Sequence, residues 1–198
     1  YRDLTMGHYG SLHSIYARRN VPRERFGLHS RTHPVFMALA HDIDAAIWYT
    51  RSRAKRVFAM EKKTSPEYRN PDIFWGLVEF ESGVIAAFET QWTLPNETGQ
   101  YLDVRLELMT SKGQVTLRYP GDQLVSTMDG RRTVADVTLW PEIFGVPTGA
   151  LRNELEYFIS VILDDKPHES IRGEEAVQGI LLANLLIESA KTGKPIML

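Results

Sequence analysis

The 198-residue sequence contains no cysteine, so it can form neither disulfide bonds nor thiolate metal sites. It has no apolar run approaching the roughly 18 residues that a transmembrane helix needs, and its N-terminus lacks the apolar core of a signal peptide. The formal net charge of −2 gives no basic excess for binding phosphate backbones. These absences predict a cytoplasmic protein that binds neither membranes nor nucleic acids.

Motifs of several enzyme classes are also missing. There is no Gly-x-Ser-x-Gly elbow for a nucleophilic serine, and Gly7-His8-Tyr9-Gly10 lacks the Gly-x-Gly-x-x-Gly spacing of a dinucleotide loop. His29 and His33 are four residues apart, but Pro34 and the loop before it argue against a helix that brings their rings together. The sequence therefore predicts neither a metal site nor a dinucleotide site in this chain.

The composition that is present is typical of a folded domain. With 43% hydrophobic and 24% charged residues, the chain is long enough for one sizeable core, so we expect a single domain over residues 1–198. Because the chain begins with Tyr1 rather than Met, we expect it to be part of a longer protein.

Residues 34–49 have the pattern of an amphipathic helix. Pro34 suits a first helical turn. His41 and Asp44 are three residues apart and share a face of this helix. A side chain that titrates near neutral pH beside a carboxylate is the minimal equipment for general acid–base catalysis, and a hydrogen-bonded structural histidine is the alternative. The apolar stripe that recurs every four residues consists of Val35, Leu39, Ile43 and Ile47.

Alternating apolar residues predict a β-sheet over much of the chain. Residues 10–20 form a first strand, and residues 21–30 form a loop. Residues 73–81 and 84–92 flank Ser82-Gly83, which is typical of a tight hairpin. The remaining strands are predicted at 55–60, 102–109 and 113–119, and two further short strands are punctuated by the turn dipeptides Gly121-Asp122 and Asp129-Gly130.

Two helices are predicted near the end of the chain, at about 151–162 and 177–188, and Gly193 suits the residue that follows a helix. The whole pattern predicts an α+β fold, in which a largely antiparallel, open-faced sheet has helices packed on one face. The opposite face would then show Trp75, Leu77 and Ile85 between charged residues, a surface that favours a protein partner.

The order of several stretches resembles the C-terminal domain of the Gfo/Idh/MocA family of NAD(P)-dependent oxidoreductases. The resemblance runs nearly from end to end of the chain. The stretches that carry it are Gly10–Asn20, His41-Asp42-Ile43-Asp44, Phe80–Ile85, Trp92-Thr93-Leu94-Pro95, Glu154–Phe158 and Ser189–Pro195.

This resemblance implies a function and a missing domain. It implies hydride transfer between a nicotinamide cofactor, NAD or NADP, and a sugar, inositol or related polyol. The cofactor would be bound mainly by an N-terminal Rossmann domain that is absent from this chain, so the chain alone would be inactive. It also implies a fold like the C-terminal domain of glyceraldehyde-3-phosphate dehydrogenase, and a homodimer or homotetramer formed through the open sheet face.

The resemblance makes His41 the catalytic residue that handles the hydroxyl proton, together with a lysine of the Rossmann domain. Many family members have an Asp four residues before this histidine, where this chain has Met37. Asp44 is a candidate to orient His41 or to contact substrate.

Three further residues are candidates for substrate binding: Arg19, Asn20 and Trp92. Arg19 and Asn20 end the first predicted strand, where polar ligand contacts are frequent, although Asn20 also suits a turn. Trp92 ends another strand and could form the wall of a pocket or pack on the sheet.

Two other functions remain open from the sequence. One is a non-catalytic binding or scaffold protein that keeps the same fold. The other is an isomerase or lyase, which would need a metal or a second acid–base group that the sequence does not reveal.

Overall fold

A seven-stranded sheet is the centre of the computed structural model. Its core face carries large apolar side chains that alternate with the residues of the opposite face, as the period of two along a strand requires. The described strands of the chain are β1 (Leu12–Asn20), β2 (Ala54–Lys62), β3 (Ile73–Phe80), β4 (Ile85–Gln91), β5 (Asp103–Thr110), β6 (Gly113–Tyr119), β7 (Val125–Met128), β8 (Arg131–Val134), β9 (Glu142–Ile143), β10 (Val146–Pro147) and β11 (Ile196–Met197). The strand order in the large sheet is β11-β2-β3-β4-β1-β5-β6.

The structure describes residues 6–29, 31–96, 101–121, 125–128, 131–134, 138–139, 141–164 and 173–198. The chain divides into two compact units. The larger unit comprises Tyr1–Asn96, Tyr101–Pro120 and Gly173–Leu198, and the smaller comprises Glu97–Gln100 and Gly121–Arg172. The expectation of one domain over residues 1–198, beside a separate Rossmann domain, stays a prediction.

The predicted α+β fold with a largely antiparallel sheet is confirmed. The predicted hairpin is β3 and β4, where the Phe80 N–H donates to the carbonyl of Val84 and Gly83 takes the positive φ of 84° that a tight turn needs. The sheet is not a simple antiparallel meander, because β1 lies between β4 and β5 and runs parallel to β4. The two short strands predicted beside Gly121-Asp122 and Asp129-Gly130 correspond to β7 and β8, which pair only with each other in the described residues. Positions 122–124 and 129–130 themselves lie outside those residues.

The predicted loop over residues 21–30 is wrong, because Arg23–His29 is a helix, α1. Glu24 in its first turn and His29 in its last turn both suit the helix dipole, and Phe26 is buried. Seven residues are too few to show a helical period, and Gly27 resembles a loop marker in the sequence.

The predicted helix at 34–49 is present, but its first turn differs from the expected geometry. Val35–Leu39 is a π-helical turn, and the α-helix α2 follows at Ala40–Thr50. The Nδ1 atom of His33 accepts a hydrogen bond of 3.2 Å from the Val35 N–H and so satisfies a donor that the first turn leaves without a partner. The apolar stripe is confirmed, since its members are buried at 0–6% exposure: Val35, Leu39, Ile43 and Ile47.

The last predicted helix is α4 (Gly173–Thr192), which packs with α2 against the core face of the sheet. Leu186 on α4 approaches Gly76 on β3 so closely that a Cβ atom on Gly76 would lie 3.0 Å from Leu186 Cδ2. Buried Ser189 accepts a hydrogen bond from the Ala59 N–H and ties the helix to β2. Gly193 follows the helix with a φ of 65°, as predicted.

The other predicted helix is α3 (Ala150–Leu163) in the smaller unit, and its C-cap is Asp164. Within this unit the predicted apolar stripe of α3 is exposed, including Leu155 at 54% and Phe158 at 62%. In the described part of the chain, no helix has the length and hydropathy to cross a membrane.

Candidate active site

A cavity of about 190 Å³ lies beside the C-terminal ends of β1 and β4 in the larger unit. Each neighbouring element contributes side chains to it: β1, α1, the π-helical turn, the start of α2, and the residues that follow β4 and precede β5. The lining residues are Arg19, Val21, Arg25, His29, Met37, Ala38, His41, Trp92, Tyr101 and Leu102. Three sequence-predicted site residues, His41, Arg19 and Trp92, therefore lie around one cavity.

Arg19 is held in place by a two-point ion pair with Asp42 on α2. Arg19 Nε lies 2.9 Å from Asp42 Oδ2, and Arg19 Nη2 lies 3.1 Å from Asp42 Oδ1. The side chains are 20% and 5% exposed, so little water competes with the pair. Asp42 is thus neutralised by Arg19, and Arg19 Nη1 takes no part in the pair.

His41 directly precedes Asp42 on α2; its side chain is exposed and lines the cavity with Met37, four residues earlier. Met37 stands where the resemblance implies an Asp, and a thioether cannot exchange a proton at this position. Of these two residues, only His41 has a side chain that can exchange a proton.

Asp44 does not line this cavity. Burial raises the pKa of its carboxyl, and the negative charge of Glu175 raises it further, while the charge of His41 opposes both effects. Asp44 is therefore close enough to His41 for an electrostatic interaction, but the structure places it on the side of α4.

Trp92 forms a buried wall of the cavity and is 4% exposed. Its ring contacts Phe26 and His29 edge to face, with centroid separations of 5.8 Å and 6.2 Å. Its backbone N–H donates to the carbonyl of Asp72, and its indole N–H has no acceptor among the described residues. The aromatic contacts fix the orientation of this wall.

Asn20 is buried and lies outside the lining of the cavity. Its Nδ2 donates to Glu89 Oε1 at 3.0 Å, and its Oδ1 accepts from the Gln91 N–H at 2.8 Å. The hydroxyl of Tyr16 donates to the other oxygen of Glu89, and burial together with that carboxylate raises the pKa of Tyr16 to about 12. Asn20 thus belongs to a polar network that joins β1 and β4.

The sequence reasoning did not select three lining residues that carry polar groups: Arg25, His29 and Tyr101. Arg25 and His29 are four residues apart and share a face of α1, a signal that becomes visible once residues 23–29 are recognised as a helix. The Arg25 guanidinium lies over the Tyr101 ring, with its Cζ atom 3.4 Å from the ring centroid. Nothing in the sequence around Tyr101 predicts this contact.

The two histidines spaced four residues apart, His29 and His33, have different surroundings. His29 lines the cavity, whereas His33 Nε2 lies 3.2 Å from Glu61 Oε2 on β2. Within the described ranges, no group of three or more potential ligands is arranged to hold a metal ion.

Comparison with known proteins agrees with the resemblance read from the sequence. A family model for the GFO/IDH/MocA C-terminal domain matches residues 4–116, more than half of the chain. A search of curated proteins gives no match.

Solved structures with a similar fold include dehydrogenases. Myo-inositol 2-dehydrogenase from Lactobacillus plantarum is 17% identical with a TM-score of 0.76, and the match covers 100% of this chain and 60% of that one. Scyllo-inositol dehydrogenase from Lactobacillus casei, solved with NAD(H) and scyllo-inositol, is 15% identical with a TM-score of 0.73, over 99% of this chain and 59% of that one. The chain thus spans less than two thirds of the length of these proteins.

Proposed function

We propose, because the chain belongs to the GFO/IDH/MocA C-terminal domain family, that it is the substrate-binding and oligomerisation domain of an NAD- or NADP-dependent oxidoreductase. The observation that carries the proposal is the meeting of His41, Arg19 and Trp92 around one cavity. These residues lie up to 73 positions apart in the sequence, so no local pattern brings them together.

The chemistry assigned to the cavity is the oxidation of a secondary alcohol, or its reverse. Oxidation removes a hydride from the carbon and a proton from the hydroxyl oxygen. The bound cofactor supplies the hydride acceptor, and His41 takes the proton. In the reverse direction His41 returns the proton to the carbonyl oxygen. Arg19 and Trp92 limit the positions that the substrate can take.

We propose that this chain has no dinucleotide site of its own. The sequence has no Gly-x-Gly-x-x-Gly turn, and β1 is followed by a seven-residue helix without such a loop. We therefore assign NAD or NADP mainly to a Rossmann domain outside this chain, and we expect the chain alone to be inactive.

The proposed substrate is a sugar, inositol or related polyol. The presence of NAD(H) and scyllo-inositol in one structure of similar fold supports this class. The absence of cysteine supports a reducing cytoplasm as the place of action.

The test is the turnover of the full-length protein with a panel of polyols, sugars and inositols, followed by cofactor absorbance. We expect His41→Asn to lower kcat by roughly a hundred- to ten-thousand-fold, the usual value of general acid–base catalysis. His13→Asn is the matched control, because His13 is exposed on β1 outside the cavity. Affinity for the dinucleotide should not change in either variant.

Equal turnover of the His41 and His13 variants would contradict the catalytic role of His41. Binding of panel compounds by the full-length protein without any change in cofactor absorbance would instead favour the alternative of a non-catalytic binding protein.

We also propose that the open face of the sheet forms a homodimer or homotetramer interface. Three large apolar side chains on this face are exposed: Trp75 (43%), Leu77 (50%) and Ile85 (54%), on β3 and β4. A contiguous exposed apolar patch of this kind favours contact with another protein surface. A lysine in the apolar centre of an interface is strongly destabilising, so Leu77→Lys should lower the sedimentation coefficient of the full-length protein. Leu28→Lys, on α1, is the control for an exposed leucine outside the sheet. A monomeric wild-type protein would contradict the proposal.

A further inference from the structure

The polar side chains that line the cavity are mainly hydrogen-bond donors. Each nitrogen-bearing side chain of the lining carries at least one N–H group, whether the side chain is charged or neutral; these residues are Arg19, Arg25, His29, His41 and Trp92. No Asp, Glu, Asn, Gln, Ser or Thr is among the described lining residues, and the Tyr101 hydroxyl is the lining side-chain oxygen. We propose that this cavity binds the anionic group, carboxylate or phosphate, of an acidic sugar or polyol; the inference rests on the proposed function and specifies its substrate class.

The charges of the cavity do not cancel. Arg19 is neutralised by Asp42 through the two short contacts described above. Arg25 forms no ion pair with any carboxylate of the described residues, and its guanidinium lies over the neutral ring of Tyr101. The described lining of the cavity therefore carries a net positive charge from Arg25. A partly buried cation without a counter-ion is costly, so an anion in the cavity would be stabilised.

The geometry of the two guanidinium groups suits an anion. Arg25 stacks on Tyr101 through its face, which leaves the N–H groups in its plane free to point at the two oxygens of a carboxylate or phosphate. Arg19 uses Nε and Nη2 for Asp42, so its Nη1 group remains for a ligand. The ion pair with Asp42 fixes the position of that group before a ligand binds.

A neutral polyol fits this lining less well. Every hydroxyl group of a polyol needs an acceptor for its proton, whereas a carboxylate or phosphate oxygen only accepts. The described lining has many donors and few acceptors. At about 190 Å³ the cavity is also smaller than the roughly 300–1,000 Å³ of drug-sized sites, which suits one small charged group and the ring that bears it.

The experiment compares acidic and neutral ligands on the full-length protein by titration calorimetry, with and without NAD. The probes are glucuronate, glucose 6-phosphate, and glucose as their neutral counterpart. We expect at least one acidic probe to bind at least about tenfold more tightly than glucose. Arg25→Gln should weaken that probe by roughly 10- to 100-fold, the range for hydrogen bonds to charged groups, and should leave glucose unchanged.

Arg23→Gln is the matched control, because Arg23 is exposed on the same helix, outside the cavity, and carries the same charge. It should leave every affinity unchanged. Arg25→Lys keeps the charge without the planar fork, so it should restore part of the affinity for the acidic probe. Glucuronate and glucose 6-phosphate distinguish the carboxylate from the phosphate as the group bound.

Glucose binding as tightly as both acidic probes would overturn the inference, as would equal effects of Arg25→Gln and Arg23→Gln. If neutral polyols nevertheless reduced the cofactor, the proposed oxidoreductase function would be supported and only the anion site would be wrong. Conversely, Arg25-dependent binding of an acidic probe, with no cofactor reduction by any acidic probe or any compound of the panel, would support the anion site and contradict the oxidoreductase function.

Discussion

The ion pair between Arg19 and Asp42 should make an unusually large contribution to the stability of the domain. Replacing Asp42 by Asn removes the negative charge but keeps the size of the side chain. It leaves the Arg19 guanidinium, only 20% exposed, without a counter-ion. Breaking a buried pair by removing one partner costs about 3–5 kcal/mol, and the partial exposure of Arg19 lowers this to about 2–3 kcal/mol.

The assay is equilibrium urea unfolding of the full-length protein for Asp42→Asn, Arg19→Gln and the double variant. The double variant should lose less than the sum of the two single losses, because it has no uncompensated charge. We expect a coupling energy of about 1.5–3 kcal/mol. Additivity within about 0.5 kcal/mol would refute the reasoning.

A second pair on the same strand is the internal control. Arg18 Nη2 lies 2.9 Å from Asp103 Oδ1, but these side chains are 29% and 25% exposed. Water and salt screen such a pair, so Asp103→Asn should cost no more than about 1 kcal/mol. If Asp103→Asn lowered the free energy of unfolding as much as Asp42→Asn does, burial would not explain the strength of the Arg19–Asp42 pair.

Two other substitutions test the packing of α4 and the charge balance beside it. Gly76→Ala should destabilise the protein by about 1–3 kcal/mol in urea unfolding, because the new Cβ atom would press on Leu186 in a filled core; an unchanged midpoint would contradict the close packing. Asp44→Asn should raise the melting temperature at pH 7: burial and the charge of Glu175 raise the pKa of Asp44 above its ordinary value of 3.8, so the charged carboxyl lowers stability increasingly above that pH, and fully above the folded pKa. That gain should vanish below about pH 3.8, and a loss of stability at pH 7 would contradict the direction of the shift.

Local patterns predict several elements of this fold. The hairpin of β3 and β4, the buried stripe of α2 and the end of α4 at Gly193 each depend on residues close in the sequence. The parallel pairing of β1 with β4 could not be predicted in this way, since Tyr16 and Ala87 are partners 71 residues apart.

In the candidate site too, the residues in a local pattern could be predicted and the long-range contacts could not. His41 could be selected because it lies beside acidic residues in a recognisable helix. Asp42 could not be identified as the partner of Arg19, because that pair forms only when α2 packs beside the end of β1. Arg25 and Tyr101 were missed for related reasons: α1 is too short for a periodic signal, and a ring stacked on a guanidinium leaves no pattern in the sequence.

Transfer of deuterium tests the proposed oxidoreductase function most directly. The full-length protein would be given its best substrate from the panel, deuterated at the carbon that bears the reacting hydroxyl, with oxidised cofactor in ordinary water. Hydride transfer keeps the label out of solvent, so we expect the deuterium to be recovered in the reduced cofactor, with a rate that falls in His41→Asn and not in His13→Asn. Deuterium released into water, with no label in the cofactor, would indicate proton abstraction by an isomerase or lyase and would contradict hydride transfer.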